Sequence, residues 1–369
     1  MLMAAPRKAD RIFLVYLAVL VIFGLAALMS ASSPAGYTQY HDAYYFLKRQ
    51  IFFGLIPGIV FFLAFAKLDY HVWKKIAWVV YGLSIGLLLL IFIPHFGRVI
   101  NGAHSWLALG PISFEPAEIA KLSVVIIASF LLTREQRDWT NWQTSLLPIL
   151  ALLAPIFLLI VMEPDVGTLS ILVMIVFMLL YIGAVPKRYL LVLGLIGVVG
   201  FFGLIIAAPY RTERLTIFLH PELDPQGIGY QMNQAFLAVG SGGFWGLGFG
   251  HSRQKFQYLP EASADTIFAI IAEENGFIVS IGLIVLILLI TWRGLKIAKG
   301  APDEFGCLLV SGIMVWFVWQ SLLNIGATVG ALPLTGVPLP FISHGGSALA
   351  AALGAMGIVA NVSKQSEIA

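Results

Sequence analysis

Apolar residues occur in ten long stretches along the chain, and shorter polar connections separate them. A bilayer core of about 30 Å is crossed by roughly 20 apolar residues in a helix, so each stretch is a candidate transmembrane helix. The pattern therefore predicts an all-α polytopic membrane protein with ten spans, of which the fourth is short and the second contains Pro57. The predicted spans are 12–31, 51–66, 76–93, 119–132, 146–162, 167–185, 189–208, 266–291, 306–323 and 345–362.

Two connections depart from short polar turns. The longest, 209–265, lies between the seventh and eighth predicted spans. The other, 330–347, has three prolines and four glycines in 18 residues, which prevents a continuous helix. Irregular backbone at membrane depth survives only where protein or a water-filled cavity covers it, so this connection is either a structural kink or part of a site.

Basic residues are distributed unequally between the two sides. Alternating the connections assigns fourteen Lys and Arg to one side and seven to the other, and basic loops stay in the cytoplasm. This predicts cytoplasmic termini and an extracytoplasmic 209–265 loop, in one membrane domain covering 1–369. The first set is Arg7, Lys8, Arg11, Lys67, Lys74, Lys75, Arg134, Arg137, Lys187, Arg188, Arg293, Lys296, Lys299 and Lys364, and the second is Lys48, Arg49, Arg98, Arg211, Arg214, Arg253 and Lys255.

Composition agrees with this class of protein. The chain is 59% hydrophobic and only 11% charged, whereas soluble domains are near a quarter charged. Its single cysteine excludes an intramolecular disulfide, and a net charge of +3 is too small to indicate a nucleic-acid surface. The first apolar run is long for a signal peptide and is interpreted as a retained span. Most acidic residues fall on or near the outer side, which favours an extracytoplasmic working face.

Asp265 lies where the long loop meets the eighth span. Glu273 follows about 80° round the helix and roughly 12 Å deeper, and Glu274 is expected on the far side. An ionised carboxylate facing lipid is costly, so these acids are expected to face a protein interior or a wet cavity. The alternative for Asp265 is a structural helix N-cap.

Other charged residues offer two interpretations each. Glu118 and Lys121 are three apart on the fourth span, and form either a neutralising pair or part of a buried pocket. Glu163 and Asp165 flank a proline in a tight turn that either holds a divalent cation or is simply solvated. Basic residues of the long loop could bind phosphate or lipid headgroups. They are Arg211, Arg214, Arg253 and Lys255.

No phosphate-binding loop of the nucleotide-hydrolysing kind is present, and ATP is not available outside the membrane. Chemistry on the outer face therefore needs a substrate that arrives activated, such as a sugar linked to a lipid diphosphate. Its transfer requires a base for the acceptor hydroxyl and positive charge for the departing diphosphate.

Three motifs resemble a known family. The stretch from Asn324 to Ser347, with Leu-Pro-Leu-Thr-Gly-Val-Pro-Leu-Pro-Phe-Ile-Ser-His-Gly-Gly-Ser, closely resembles the signature of the shape, elongation, division and sporulation (SEDS) proteins RodA, FtsW and SpoVE. Residues 250–274 resemble the family's large outer loop, and Glu-Pro-Ala-Glu at 115–118 resembles its Gln-Pro-Ser-Glu motif. The chain has His344 where the family usually has Tyr. The Ser-Arg-Gln-Lys-Phe stretch with Tyr-Leu-Pro-Glu resembles the FtsW and SpoVE branch, whereas Val-Pro-Leu-Pro-Phe is common in RodA, and the balance favours FtsW.

The resemblance implies a peptidoglycan glycosyltransferase that polymerises lipid II in the bacterial cytoplasmic membrane with a class B penicillin-binding protein. It implies Asp265 as the catalytic aspartate. Other elongation or division proteins and membrane lipids are expected partners, nucleic acid is not, and a divalent cation (Mg or Mn) is a possible cofactor with unknown ligands. The alternative is a lipid II flippase. The expected substrate-binding residues are Glu118, Lys121, Arg211, Arg214, Arg253, Lys255, Glu261, Ser343 and His344.

Overall fold

A computed structural model describes residues 8–94, 96–100, 103–109, 112–134, 139–206 and 209–367. Arg7 and Arg137, which were counted in the charge tally, lie outside these residues. The helices are α1 Arg11–Tyr40, α2 Tyr45–Gln50, α3 Ile56–Lys67, α4 His71–Lys75, α5 Ala77–Ile91, α6 Pro116–Leu132, α7 Trp142–Ser145, α8 Leu147–Met162, α9 Val166–Ile182, α10 Lys187–Ile206, α11 Pro209–Leu219, α12 Ile228–Ser241, α13 Ile267–Lys299, α14 Glu304–Thr328 and α15 Gly346–Ser363. A π-helical turn, Ile51–Leu55, joins α2 to α3.

Each of the ten predicted apolar stretches coincides with a helix. Six helices in the described residues are long and apolar enough to cross a membrane. The outward surfaces of α1, α3, α5, α10 and α13 carry many exposed large apolar side chains, as expected where helices face lipid. The described fold is therefore mostly helical and of a membrane type.

Two contacts fix the relative direction of helices α1 and α13. Asp10, before α1, pairs with Arg293 near the end of α13 at 2.6 Å. Ser30, roughly 28 Å further along α1, bonds Glu274 in the first part of α13 at 2.7 Å. The two helices are consequently antiparallel, and the segments discussed below lie at the end where Ser30 meets Glu274.

A small sheet corrects the all-α prediction. Strands β1 Gly97–Ile100, β2 Ala103–Leu109 and β3 Ile112–Phe114 form an antiparallel meander between α5 and α6. Leu107 faces Phe114 across it and is buried. The connection was predicted only as an interfacial element, because strands this short give a weak sequence pattern.

The 209–265 connection was predicted as a long loop. In the structure it contains α11, a short 3₁₀ turn and α12. Helix α12 buries small and flexible residues at three-residue spacing, which is a helical period. Their small size concealed the pattern from a hydropathy reading. They are Gly229, Met232, Ala235 and Ala238.

Helix α13 is interrupted at Gly276, whose φ of 73° and ψ of −175° are not helical. The amides of Leu247 and Gly248 donate to the carbonyls of Glu273 and Glu274, both at 2.9 Å. The amide of Phe277 in turn donates to Gly243. The loop that follows α12 thus takes up helix hydrogen bonds lost at the break, which fixes it against α13.

Candidate active site

Asp265 lies on a non-helical segment, 258–266, immediately before α13. Asn324 of α14 holds this segment, because its side-chain amide donates to the carbonyls of Asp265 and Val337, both at 2.8 Å. The N-cap position of α13 is Thr266, without a side-chain cap bond. The alternative of Asp265 as a structural N-cap is therefore not what the structure shows.

The Asp265 carboxyl is half-buried beside other charged groups. Burial and the negative charge of Glu261 raise its pKa to about 7, while Arg214 and a 3.4 Å hydrogen bond from Gln231 act in the opposite direction. A carboxyl that titrates near neutral pH can accept a proton efficiently in a transfer reaction. Of the predicted site residues, Glu261 and Arg214 thus share the surroundings of Asp265.

Ser343 and His344 support the Asp265 segment through its backbone. The Ser343 hydroxyl donates to the Ala264 carbonyl, and the His344 amide donates to the Ser263 carbonyl at 2.8 Å. Since Ser343 is buried and bonded, its predicted role as a substrate contact is better described as support of the neighbouring segment.

The His344 side chain lies against a ring and near a cation. Its ring contacts Phe46 edge-on at 5.2 Å. Burial and the charge of Arg49 lower the pKa of His344 to about 4, so the imidazole is neutral at physiological pH.

Glu118 and Lys121 form the predicted ion pair, at 2.8 Å, and both are buried. The Lys121 amine also donates to Gln320 at 2.8 Å, and Gln320 donates to the Pro338 carbonyl at 2.9 Å. The pair therefore supports the same 337–345 segment that holds Asp265. Glu118 and Gln320 also line a narrow cavity of about 20 Å³, room for about one water molecule.

The basic residues of the long connection do not converge on one point. Lys255 is buried, and its amine donates to Glu274 at 2.7 Å and to Ser30 at 3.0 Å. The amine is thus engaged inside the protein, and a role of Lys255 in substrate binding stays a prediction. Arg211 donates to the Leu204 carbonyl at 3.0 Å, whereas the Arg253 side chain is exposed.

Glu273 and Glu274 both engage the 250–255 loop, although Glu274 was expected on the far side. Glu273 accepts bonds from the Ser252 hydroxyl and the Arg253 amide. Glu274 accepts from Lys255. Both acids are buried in protein, as the cost of facing lipid requires.

The turn between α8 and α9 is not simply solvated. The Glu163 side chain is fully buried, with 0% exposure, and neither carboxylate oxygen has a hydrogen-bond partner within the described part of the chain. Burial and the charge of Asp165 raise the pKa of Glu163 to about 8. Burial and the charges of Glu118 and Asp165 also raise the pKa of Glu115 above its usual range. Among the described residues, no three His, Cys, Asp or Glu side chains already surround a metal position.

Several supporting residues were missed in the sequence. Gln320 and Asn324 lie one helical turn apart on α14, and two amides on one face of an apolar helix were a usable signal. The side-chain nitrogen of Gln50 donates to the Ser343 carbonyl at 3.2 Å, and its side-chain oxygen accepts from the Gly345 backbone amide at 3.0 Å. Only the fold reveals Gln50, because 293 residues separate it from Ser343.

Comparisons with known proteins identify the family. The sequence profile of the FtsW, RodA and SpoVE cell cycle proteins matches residues 10–368. The chain is 38% identical to stage V sporulation protein E of Bacillus subtilis over 97% of each protein. It is 34% identical to a probable peptidoglycan glycosyltransferase FtsW of a Geobacter species over 96% of each.

Solved structures are similar over nearly the whole chain. One is a chain from a peptidoglycan synthase complex that coordinates polymerisation and crosslinking, with a TM-score of 0.79, 28% identity and coverage of 96% of this chain and 97% of that chain. Another is the rod shape determining protein RodA of Thermus thermophilus, with a TM-score of 0.71, 28% identity and coverage of 97% and 98%. The motifs, the helical membrane fold and the full-length matches together establish that the chain belongs to the FtsW, RodA and SpoVE family of cell cycle proteins.

Proposed function

We propose that this protein is a peptidoglycan glycosyltransferase that polymerises lipid II into glycan strands at the outer face of the bacterial cytoplasmic membrane. The observation that carries the proposal is the half-buried Asp265 carboxyl, whose pKa lies near 7 and whose segment is held from two sides. The similarity to proteins named as peptidoglycan glycosyltransferases supports the same activity.

In the proposed reaction, Asp265 removes the proton from the 4-hydroxyl of the GlcNAc unit of an incoming lipid II. That oxygen attacks the anomeric carbon of the terminal MurNAc of the growing chain. The bond to undecaprenyl diphosphate breaks with inversion, and the diphosphate leaves with the electron pair. A base with a pKa near the working pH combines a large deprotonated fraction with useful basicity.

The departing diphosphate needs positive charge nearby. Arg214 is the best candidate among the predicted cations, because its charge is already felt at Asp265. Two further candidates are Arg253, which is exposed, and Arg211, which lies about one turn before Arg214 on α11. Lys121 is less suited to direct contact, since it is buried against Glu118 and Gln320.

The membrane arrangement belongs to the same proposal. In the proposed arrangement the chain crosses the membrane ten times. Both termini and the basic ends of the helices then lie in the cytoplasm, and Asp265 lies on the outer side. This proposal counts the shorter apolar helices, including α5, α8 and α9, as spans as well, and their apolar composition supports it. We also propose a class B penicillin-binding protein as the partner, supported by the similarity to a chain of a peptidoglycan synthase complex.

The test is glycan polymerisation by purified protein with its partner and lipid II. Asp265→Asn and Asp265→Ala should each lose at least about 100-fold in rate, as expected for removal of a general base. Asp42→Asn is the matched control, because Asp42 pairs with Lys48 at the protein surface. Polymerisation by folded Asp265→Asn at the parental rate would contradict the assignment. Movement of labelled lipid II across vesicles containing this protein alone, without polymer, would favour the flippase instead.

A further inference from the structure

Four carboxyl groups gather where α6 begins and α8 meets α9. Glu115 and Glu118 belong to the start of α6, and Glu163 and Asp165 flank the turn at Pro164. The negative charges of Glu118, Asp165 and Glu163 disfavour ionisation of Glu115, whereas the charge of Lys121 favours it. Lys121 forms an ion pair with Glu118 alone among them, so the other three acids lack a paired cation in the described residues.

Glu163 is the most unusual member of this cluster. It is fully buried, and both of its oxygens lack a hydrogen-bond donor among the described residues. A buried polar group without a partner costs about 1–3 kcal/mol, and more when it is charged. Native proteins rarely leave such a group unsatisfied, so an orphaned buried carboxyl in an acidic surrounding indicates an unseen positive ligand.

Further oxygen atoms belong to the same turn and to the 335–337 segment that packs on it. Asp165 uses one carboxylate oxygen to accept from the Thr168 amide at 2.9 Å, which leaves the other available. The backbone at Gly167 packs closely on the 335–337 segment. A Cβ added at Gly167 would lie 2.3 Å from Val337 and 3.3 Å from the Cβ of Thr335. The Thr335 hydroxyl is itself buried, with no hydrogen-bond partner in the part of the chain that the structure describes. The turn and the segment packed on it thus supply oxygen ligands.

Oxygen ligands of this kind select hard divalent cations. Mg²⁺ typically keeps several waters and is bound through one or two carboxylates, so it needs no group of three protein ligands. We propose that Glu163 and Asp165 form a binding site for a hydrated divalent cation of the Mg²⁺ class at the turn between α8 and α9. Half-buried Asp165 provides the route of entry from the surface.

The site is connected to Asp265 through the chain that covers it. Val337, which contacts Gly167, shares the Asn324 amide with Asp265. An ion at the turn therefore stabilises the segment on which the position of Asp265 depends. The binding site itself does not rest on the proposed function, whereas any effect of the ion on Asp265 chemistry does.

The test uses Mn²⁺ as a spectroscopic probe. Full-length protein is stripped with chelator, and bound Mn²⁺ is measured from the loss of the free-ion electron paramagnetic resonance signal. The parental protein should bind one Mn²⁺ at this turn, and Glu163→Gln should weaken that binding at least about tenfold, while exposed Glu222→Gln should not. Mn²⁺ should also raise the melting temperature of the parental protein but not of Glu163→Gln.

Two further variants keep the outcomes distinct. Asp265→Asn should bind Mn²⁺ like the parental protein, so failure of the proposed catalytic role does not affect this result. Asp165→Asn should weaken binding in the same way as Glu163→Gln and replaces it if that variant does not fold. Parental affinity in folded Glu163→Gln or Asp165→Asn, or no Mn²⁺ bound by the parental protein at millimolar concentration, would overturn the site.

Discussion

The ion pair between Lys255 and Glu274 provides the sharpest test of how the outer loop is held. Its atoms are 2.7 Å apart, and the two side chains are 4% and 2% exposed. Lys255→Met removes the ammonium group but keeps an apolar stem of similar length. Glu274 then remains buried, with only the Ser30 hydroxyl and a long bond from the Ser252 amide as donors.

Breaking a buried pair by removing one partner costs about 3–5 kcal/mol, because the remaining charge is uncompensated. An unfolding entropy of about 2.1 cal/mol/K per residue converts this loss into a fall in melting temperature of about 5 °C for the 369-residue chain. The double variant Lys255→Met with Glu274→Gln removes both charges of the pair, so no unpaired partner remains, and it should recover most of the loss.

The assay is thermal melting of the purified full-length protein in one detergent, for the parent, both single variants and the double variant. The matched control is Lys48→Met, because the Lys48–Asp42 pair has the same 2.7 Å separation but is exposed to solvent. It should melt close to the parent. The reasoning fails if Lys255→Met melts within about 1 °C of the parent, or if the double variant is no more stable than the single ones.

Three other predictions concern the same end of the molecule. The polymerisation rate should rise with pH through about 7 as Asp265 loses its proton, and Glu261→Gln should move that rise to lower pH, since the Glu261 charge raises the pKa of Asp265; an unmoved profile would contradict this. Asn324→Leu leaves the buried Val337 carbonyl unsatisfied, at about 1–3 kcal/mol, and removes the donor to the partly buried Asp265 carbonyl, so both melting temperature and polymerisation rate should fall. Gly276→Ala should strongly destabilise the protein in the melting assay, because its φ is 73° and its Cβ would lie 2.3 Å from a backbone nitrogen. Gly282→Ala, on the same helix with open space around it, should be tolerated.

Much of the helical framework was readable in the sequence, because hydropathy and helix periodicity are local properties. Each predicted apolar stretch became a helix, and the proline-rich 330–347 segment proved non-helical between α14 and α15. Asp265 was recognisable as an acid immediately before a predicted transmembrane helix. The strands and α12 were missed, because short strands and small buried residues leave little local pattern.

What the tertiary structure alone decided was the environment of each charged group. Glu163 lies in a turn that the sequence left open as solvated or cation-binding, and the fold buries it fully. Lys255, a predicted substrate contact, pairs with Glu274 inside the protein. Burial and pairing depend on segments distant in sequence: Ser30 and Glu274 are 244 residues apart. The order of residues determined which helices form and where the acids stand along them. Only the packing of those helices determined which acids are buried, which form ion pairs and which can accept a proton near neutral pH.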